Sequence, residues 1–424
     1  MQAIHLFEAN WANRLSNIFL FIIPFFFIQF ADSILSFIFP IAVANSLNSN
    51  SLMGIIMSMS SVVGLASDFI FPQIFKKKTW KFFLLAAILV ALSFPIAIYL
   101  GTQFVLVGIF LFGSIMWGIY FEFLMFAQQL FVVNEEKKIN FSKDWGVLAL
   151  ASQASFIIAP ILASNLLISG INNATFVIIF LQIMGLSTAL IVMKSVKSKK
   201  SGFSHDEDFR SKVNILTELK YWSLLSRRVW PAITIGITVS AINATFWTIG
   251  GIFGKEIFGN NGLDWLIISL FFAPMLIGSM LIAKINLRHH KKMVSQIALL
   301  LGSLVLSLIF VVESNKVLLI FIILASSFIL SFVQPLNDAI YSDLLERMGR
   351  DKSHLLGITR ANSSIAYIIT PLFVGILSDK IGYGATFTLV ALIATTVAAI
   401  TFIFSPRKIK LPKRELERMN LSNS

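Results

Sequence analysis

Apolar residues in this chain come in long runs separated by short polar breaks. Twelve runs, at about 16–41, 52–72, 82–100, 104–133, 147–168, 174–193, 230–252, 263–283, 293–312, 317–345, 355–377 and 384–404, approach or exceed the roughly 20 apolar residues that a helix needs to cross a bilayer. They lack the period-two alternation of strands and predict helices that are apolar on most sides. The breaks alternate in charge. One set is basic: the N-terminal Arg14, Lys76 to Lys78, Lys137-Lys138, the stretch 194–228, Arg288 to Lys292, Arg347 to Lys352 and the tail from Arg407. The other set, at 46–50, 101–103, 169–173, 254–264, 313–316 and 378–384, is nearly neutral. Of the 34 Lys and Arg, all but Lys255, Lys316, Lys380 and Arg360 go with the basic set. Basic residues are retained on the cytoplasmic side, so the pattern predicts an even number of spans with both termini inside.

Composition agrees and narrows the class. Of the 424 residues, 57% are hydrophobic and only 13% charged, which excludes a water-soluble enzyme or a disordered chain. The spans use up most of the length, leaving no room for an additional soluble domain. The net charge of +13 is explained by the basic inner loops, so it reads as an orientation signal and implies no nucleic-acid partner. Cysteine is absent, which removes disulfides and thiolate chemistry. There is no phosphate-binding Gly-x-x-x-x-Gly-Lys-Ser/Thr run, no metal-ligand spacing and no catalytic set, so no cofactor and no enzymatic activity are expected. The first run carries Pro24 and Asp32 and is too long for a signal-peptide core, so it is read as a retained helix.

The longest polar stretch divides the chain into six helices and six. The predicted organisation is an N-terminal bundle at 1–193, a cytoplasmic linker at 194–229, a C-terminal bundle at 230–404 and a basic cytoplasmic tail at 405–424. Within the linker, Ile215, Leu219, Trp222 and Leu225 are spaced for an amphipathic helix lying on the inner membrane surface. The halves also resemble each other. At an offset of 211 residues, Gly146 falls on Gly357, Ser152 on Ser363, Pro160 on Pro371 and Ala174-Thr175-Phe176 on Ala385-Thr386-Phe387. A parallel repeat of six-helix units is the architecture of transporters that rock two bundles about a central site.

The pattern around Gln334-Pro335-Leu336-Asn337, the basic loop 347–352, Ile369-Thr370-Pro371-Leu372 and Gly375 to Tyr383 resembles that of the major facilitator superfamily. The likeness covers nearly all of 16–404. It implies an all-α membrane protein of twelve transmembrane helices in two pseudo-symmetric six-helix bundles. The loop after helix two departs from the family signature. Gly64 and Asp68 are present, but Phe69 stands where the pattern has a basic residue, and in the second half Ile282 stands where it has Asp. The resemblance implies that Gly64 and Asp68 help to hold the cytoplasmic side closed. Asp68 reads as ending helix two at the inner surface, where the N-terminus of helix eleven near Ser353 would attract it. Drug/proton antiporters of the family carry a Gly-rich motif around a proline in helix five. Here Ser155, Ala159-Pro160, Ala163 and Ser164 hold its places with small residues but no glycine.

Ionisable groups inside a membrane cost on the order of 2.5–3.5 kcal/mol each, which makes them functional candidates. Four stand out: Asp32, Glu122, Asp338 and Arg360. Asp32 shares a helical stripe with Gln29, Ser33 and Ser36, and the repeat offset places Asn243 and Trp247 at equivalent positions of helix seven. Glu122 is the acid in the body of helix four, where a desolvated carboxyl group favours its protonated form. Asp32 and Glu122 are the expected proton-coupling pair, or one of them binds a cationic substrate directly. Asp338 and Arg360 match in depth and predict a salt bridge across a hairpin, with a gating role or with Arg360 recognising an anion. Arg360 also shares a stripe with Ser363, Ser364 and Tyr367. The expected substrate-binding set is Gln29, Asp32, Ser36, Glu122, Asn243, Trp247, Gln334, Asn337, Arg360 and Tyr367.

These readings converge on a monomeric, multi-pass protein of a bacterial inner (cytoplasmic) membrane. Its expected partners are the lipid bilayer, a small-molecule substrate and protons. Its expected activity is proton-coupled export of an amphipathic compound by alternating access. Two alternatives stand beside it: a proton-coupled symporter importing a polar nutrient through Gln29, Asn243, Gln334 and Asn337, and a non-transporting receptor or scaffold of the same fold.

Overall fold

The computed structural model describes residues 2–75, 78–134, 141–196, 215–259, 262–285, 290–348 and 352–406, with positions 409, 411, 412 and 415. Within these, the side chains of 2–18, 133–134, 141–147, 215–219, 283–285 and 352–354, and those of Arg360 and a few other single positions, lie outside the described residues. Among the described residues the structure is helical and contains no strand. Eleven helices among the described residues are long and apolar enough to cross a membrane, and a further apolar segment, Leu266–Ile282, is shorter.

The chain forms two compact units. The first comprises Met1–Phe209 together with Gly259–Trp265, and the second Arg210–Phe258 with Leu266–Ser424. The first unit contains α1 (Gln2–Leu47), α2 (Asn50–Ile74), α3 (Trp80–Ala91), α4 (Ser93–Phe104), α5 (Val107–Asn134), α6 (Phe141–Ser169) and α7 (Ile171–Ser195). In the second lie α8 (Ile215–Phe258), α9 (Leu266–Ile285), α10 (Lys291–Leu306), α11 (Ile309–Val312), α12 (Lys316–Leu330), α13 (Val333–Met348), α14 (Lys352–Ile381) and α15 (Tyr383–Phe404).

Proline accounts for two of the helix breaks. Pro95 has no N–H to offer the carbonyl of Ala91, and Pro335 none for that of Ser331, so α3 parts from α4 and α12 from α13 at these places. Each pair still makes one apolar span, at Trp80–Phe104 and Lys316–Leu345. In α1 every residue from Ala31 to Ala44 is buried, as an all-round apolar helix requires when its unit packs around it.

The α2–α5 seam is built from small residues at four-residue spacing. Ser114 donates to the carbonyl of Ile56, and a Cβ on Gly118 would overlap the carbonyl oxygen of Ser60. The second unit repeats the device: Ser327 donates to the carbonyl of Phe271, and Gly278 leaves room for Ser331. Close backbone approach replaces the hydrophobic driving force that is missing between helices in lipid.

One expected element differs. The stretch read as a surface-lying helix is instead the first part of α8, which runs unbroken from Ile215 to Phe258. Tyr221, Leu225, Val229 and Ala232 fall on one face and are buried against Ile340, Tyr341 and Leu344 of α13 and Leu355 and Ile358 of α14. Of the face that the sequence pattern assigned to lipid, Leu225 is buried and Trp222 partly buried in this protein packing, and the side chains of Ile215 and Leu219 lie outside the described residues. Ile409 of the tail is buried in the same cluster, Arg347 donates to its carbonyl at 2.9 Å, and Arg228 pairs with Glu415 at 3.5 Å. The basic tail residues Arg407, Lys408, Lys410, Lys413 and Arg414 lie outside the described residues.

Two predictions follow from packing and charge. Gly118→Ala pushes a methyl group into a backbone carbonyl and is expected to cost about 1–3 kcal/mol, whereas Gly108→Ala, with open space around it, stays within about 0.5 kcal/mol of wild type. Thermal unfolding in detergent compares them. Glu313, outside the spans, sits against Gly384 at the start of α15, and burial and then the neighbouring Glu256 raise its pKa. Its folded form binds a proton more readily than the unfolded chain does. Its contribution therefore falls as pH rises from the ordinary carboxylate range through the raised value, and Glu313→Gln should remove that dependence from a pH series of melting temperatures.

Candidate functional site

The first unit surrounds Asp32 with donors. Asp32 lies within the fully buried stretch of α1 and is 6% exposed. The indole N–H of Trp117 on α5 donates to Asp32 Oδ1 at 2.8 Å, and Gln29 Nε2, one turn earlier on α1, reaches Oδ2 at 3.4 Å. Trp117 is itself fixed by stacking on Phe94, with ring centroids 5.2 Å apart, and by an edge contact with Phe39 at 6.0 Å. Tyr120, one turn along α5 from Trp117, is buried, lies within electrostatic reach of Asp32, and its hydroxyl has no hydrogen-bond partner.

The remaining members of the helix-one stripe behave differently. Ser33 donates to the carbonyl of Gln29 at 2.7 Å and Ser36 to that of Asp32 at 2.8 Å, so both hydroxyls are used inside α1. Glu122 occupies another face of α5, the one that meets α2. It is buried, and a Cβ on Gly64 would lie 3.1 Å from Glu122 Oε1, so Gly64 is the residue that admits the carboxyl group. The structure therefore brings Gly64 together with Glu122, and Asp32 together with Trp117 and Gln29. Asp68 is half-buried and closes the apolar span Asn50–Asp68, while α2 itself runs on to Ile74.

The second unit collects a separate polar group. Asn337 on α13 is 1% exposed, and its Oδ1 has no hydrogen-bond partner. Asn362 on α14 donates to the hydroxyl of Tyr341 at 2.6 Å. Both amide nitrogens converge on Gly236 of α8, where a Cβ would lie 3.0 Å from Asn337 Nδ2 and 3.4 Å from Asn362 Nδ2. Gln334 donates to Asp338 Oδ1 at 2.9 Å, and both residues are exposed, with Ser342 next on the same stripe of α13. Exposed polar side chains at span depth are suited to water rather than to lipid tails. Asn243 is half-buried with an unpartnered Oδ1, Trp247 is buried with its ring 5.0 Å from that of Phe272, and Tyr367 is half-buried. Arg360 lies on α14, but its side chain, and with it the expected pair to Asp338, lies outside the described residues, as does the side chain of Ser353.

Sequence reasoning missed Trp117, Tyr120, Tyr341, Asn362 and Gly236. Trp117 and Tyr120 matter because α5 packs their face towards Asp32, and periodicity within one helix carries no information about its neighbour. Among the described residues no group of three or more His, Cys, Asp or Glu is placed to hold a metal ion.

The comparisons with known proteins fit this architecture. The Major Facilitator Superfamily profile matches residues 140–351 and 258–421, and the chain belongs to that family. No curated protein sequence gives a match. Among solved structures, a POT family transporter in complex with 5-aminolevulinic acid is similar at a TM-score of 0.68 and 12% identity, over 92% of this chain and 96% of that one. The nucleoside transporter NupG is similar at 0.71 and 11%, over 92% and 100%. A bacterial homologue of the human lysosomal transporter Spinster, inward-facing and unoccupied, is similar at 0.62 and 9%, over 97% and 98%. At such identities the likeness is one of fold, and it extends over α1 to α5, which precede the family match. The protein is a multi-pass membrane transporter of the secondary type.

Trp117→Phe removes the one donor at short range from Asp32 and is expected to cost about 1–3 kcal/mol, read as a lowered melting temperature in detergent. An unchanged melting temperature would mean that the indole N–H contributes nothing to holding the carboxyl group.

Proposed function

We propose that the chain exports an amphipathic compound in exchange for protons by alternating access, with Asp32 as the coupling group and Glu122 as a second carboxyl group in the same unit. The observation that carries this reading is the setting of Asp32. An acid enclosed at mid-span is costly unless its charge changes during function, and here it is held by one short hydrogen bond from Trp117 among aromatic rings. Protonation neutralises the site and shifts the balance between inward- and outward-facing states. The apolar and aromatic surroundings, Phe39, Phe94 and Trp117, favour a substrate with a large apolar part. The basic and neutral loops support cytoplasmic termini and a bacterial inner membrane. Nothing in this reading requires more than one copy of the chain.

The polar group of the second unit favours a second reading, uptake of a polar nutrient with protons. Asn337 and Asn362 supply amide groups and Gln334 and Asp338 an exposed polar stripe, which suit a hydrogen-bonding solute. The transporters similar in fold include one bound to 5-aminolevulinic acid and one named for nucleosides.

Purified protein in vesicles with an imposed pH gradient and a pH-sensitive dye separates the readings. A panel of amphipathic aromatic compounds should dissipate the gradient in wild type and fail to do so in Asp32→Asn, with Glu122→Gln weakened. Gradient-driven accumulation of polar solutes instead would favour uptake. If no added compound moves protons and both variants match wild type, coupling through these acids is wrong.

A further inference from the structure

The mechanism proposed above uses Asp32 and leaves one buried group beside it unexplained. Tyr120 is 3% exposed, and its hydroxyl has no hydrogen-bond partner. A buried hydroxyl without a partner carries a desolvation penalty and calls for a reason. Trp117 and Tyr120 are three residues apart, on one face of α5, and that face delivers the indole N–H to Asp32 Oδ1. The carboxyl group is unevenly served: Oδ1 has a donor at 2.8 Å, Oδ2 only the long contact from Gln29 at 3.4 Å. A phenol O–H turns about its C–O bond without moving the ring and can act as donor or acceptor.

From this arrangement we infer that Tyr120 is a positioning residue for Asp32. Its hydroxyl is held in reserve, donates to the carboxylate when Asp32 releases its proton, and accepts or lets go when the proton returns. It acts on Asp32 and not on the transported compound. The inference rests on the coupling reading of Asp32 but makes a separate claim about how the ionised form is held.

Other titratable groups are carried by the elements packed against this part of α1. Beside Tyr120, α5 carries Glu122, which lies against Gly64 of α2. On α2 the titratable residue is Asp68, α4 has Tyr99, the described side chains of α6 include none, and α7 has Lys194 in its last turn.

The test needs no substrate, because the probe is the proton. Infrared difference spectra of the purified protein, recorded as a pH titration, show a protonated-carboxyl band, and the part lost in Asp32→Asn belongs to Asp32. In Tyr120→Phe the midpoint of that band should move to higher pH by about one unit, the roughly tenfold change that one hydrogen bond to a charged group commands. A Tyr120 that only fills space leaves the midpoint where it is in wild type, and that result overturns the inference. If Tyr120→Phe does not fold, Trp117→Phe with Tyr120 intact supplies the second measurement. With the indole donor gone, the tyrosine becomes the main strong donor. The band should still titrate, and a ring-fluorinated tyrosine at position 120 of this variant, a stronger phenol donor, should move its midpoint to lower pH; an unmoved midpoint also overturns the inference. If Asp32→Asn leaves proton movement in vesicles intact while Tyr120→Phe still shifts the band, the coupling reading fails and the inference about Tyr120 stands.

Discussion

Hydrocarbon offers no hydrogen bonds, and the structure follows from that constraint. Every backbone group in a span has to be paired by its own helix, which is why the described spans are helical apart from the short turns that part α3 from α4, α10 from α11 and α12 from α13. Side-chain hydroxyls obey the same requirement. Ser33, Ser36, Thr234, Thr238 and Thr248 each donate to a carbonyl four residues earlier in their own helix. Where two helices come close enough, the hydroxyl crosses to the neighbour instead, as Ser114 and Ser327 do. Among the described residues the buried side-chain atoms that escape both solutions belong to Tyr120, Gln153, Gln182, Asn243 and Asn337, and Tyr120 and Asn337 are members of the polar groups described above. Function is read from these exceptions.

Much of the fold was legible because the bilayer simplifies the code. Length and apolarity alone located the spans, and only their ends moved: α8 reaches back to Ile215, α2 on to Ile74, and α9 begins at Leu266. The difference at 215–228 has a physical origin. An amphipathic face asks to be buried, but the sequence does not say whether lipid or protein will bury it, and the tail and α13 do so here through Ile409, Ile340 and Leu344. The candidate site was half legible. Asp32 and Glu122 announce themselves as acids in apolar runs, and Asn337 as a carboxamide in one. Their partners do not. Trp117 looks like any aromatic residue in a span, Gly64 like any small one, and only the packing of α5 against α1 and α2 gives them meaning.

Glycine and serine do related work at different places. At Gly64 and Gly236 the missing side chain makes space for a polar group, a carboxyl in one case and two amides in the other. At Gly118 and Gly278 it lets a neighbouring helix approach. The pseudo-symmetry of the halves is thus retained in the packing seams, while polar content diverges: Glu122 has no acidic counterpart beside Gly278, and Asp32 maps onto the amide of Asn243. The buried acids Asp32 and Glu122 belong to the first unit, whereas in the second the buried groups Asn337 and Asn362 are neutral amides and Asp338 is exposed.

The seven-residue segment Gly259–Trp265 connects α8 to α9 yet packs with the first unit, where Ser164 of α6 donates to the buried Asp264 and Gly262 lies against Ile168. The first unit is therefore not a continuous piece of chain. A ribosome that has released α7 has made all of its helices but not its last packing element, which emerges only after the 44 residues of α8. Until then Ser164 lacks the carboxylate it donates to. Assembly of the two units is interleaved in time, and neither half of the gene product, made separately, would carry a complete copy of the first.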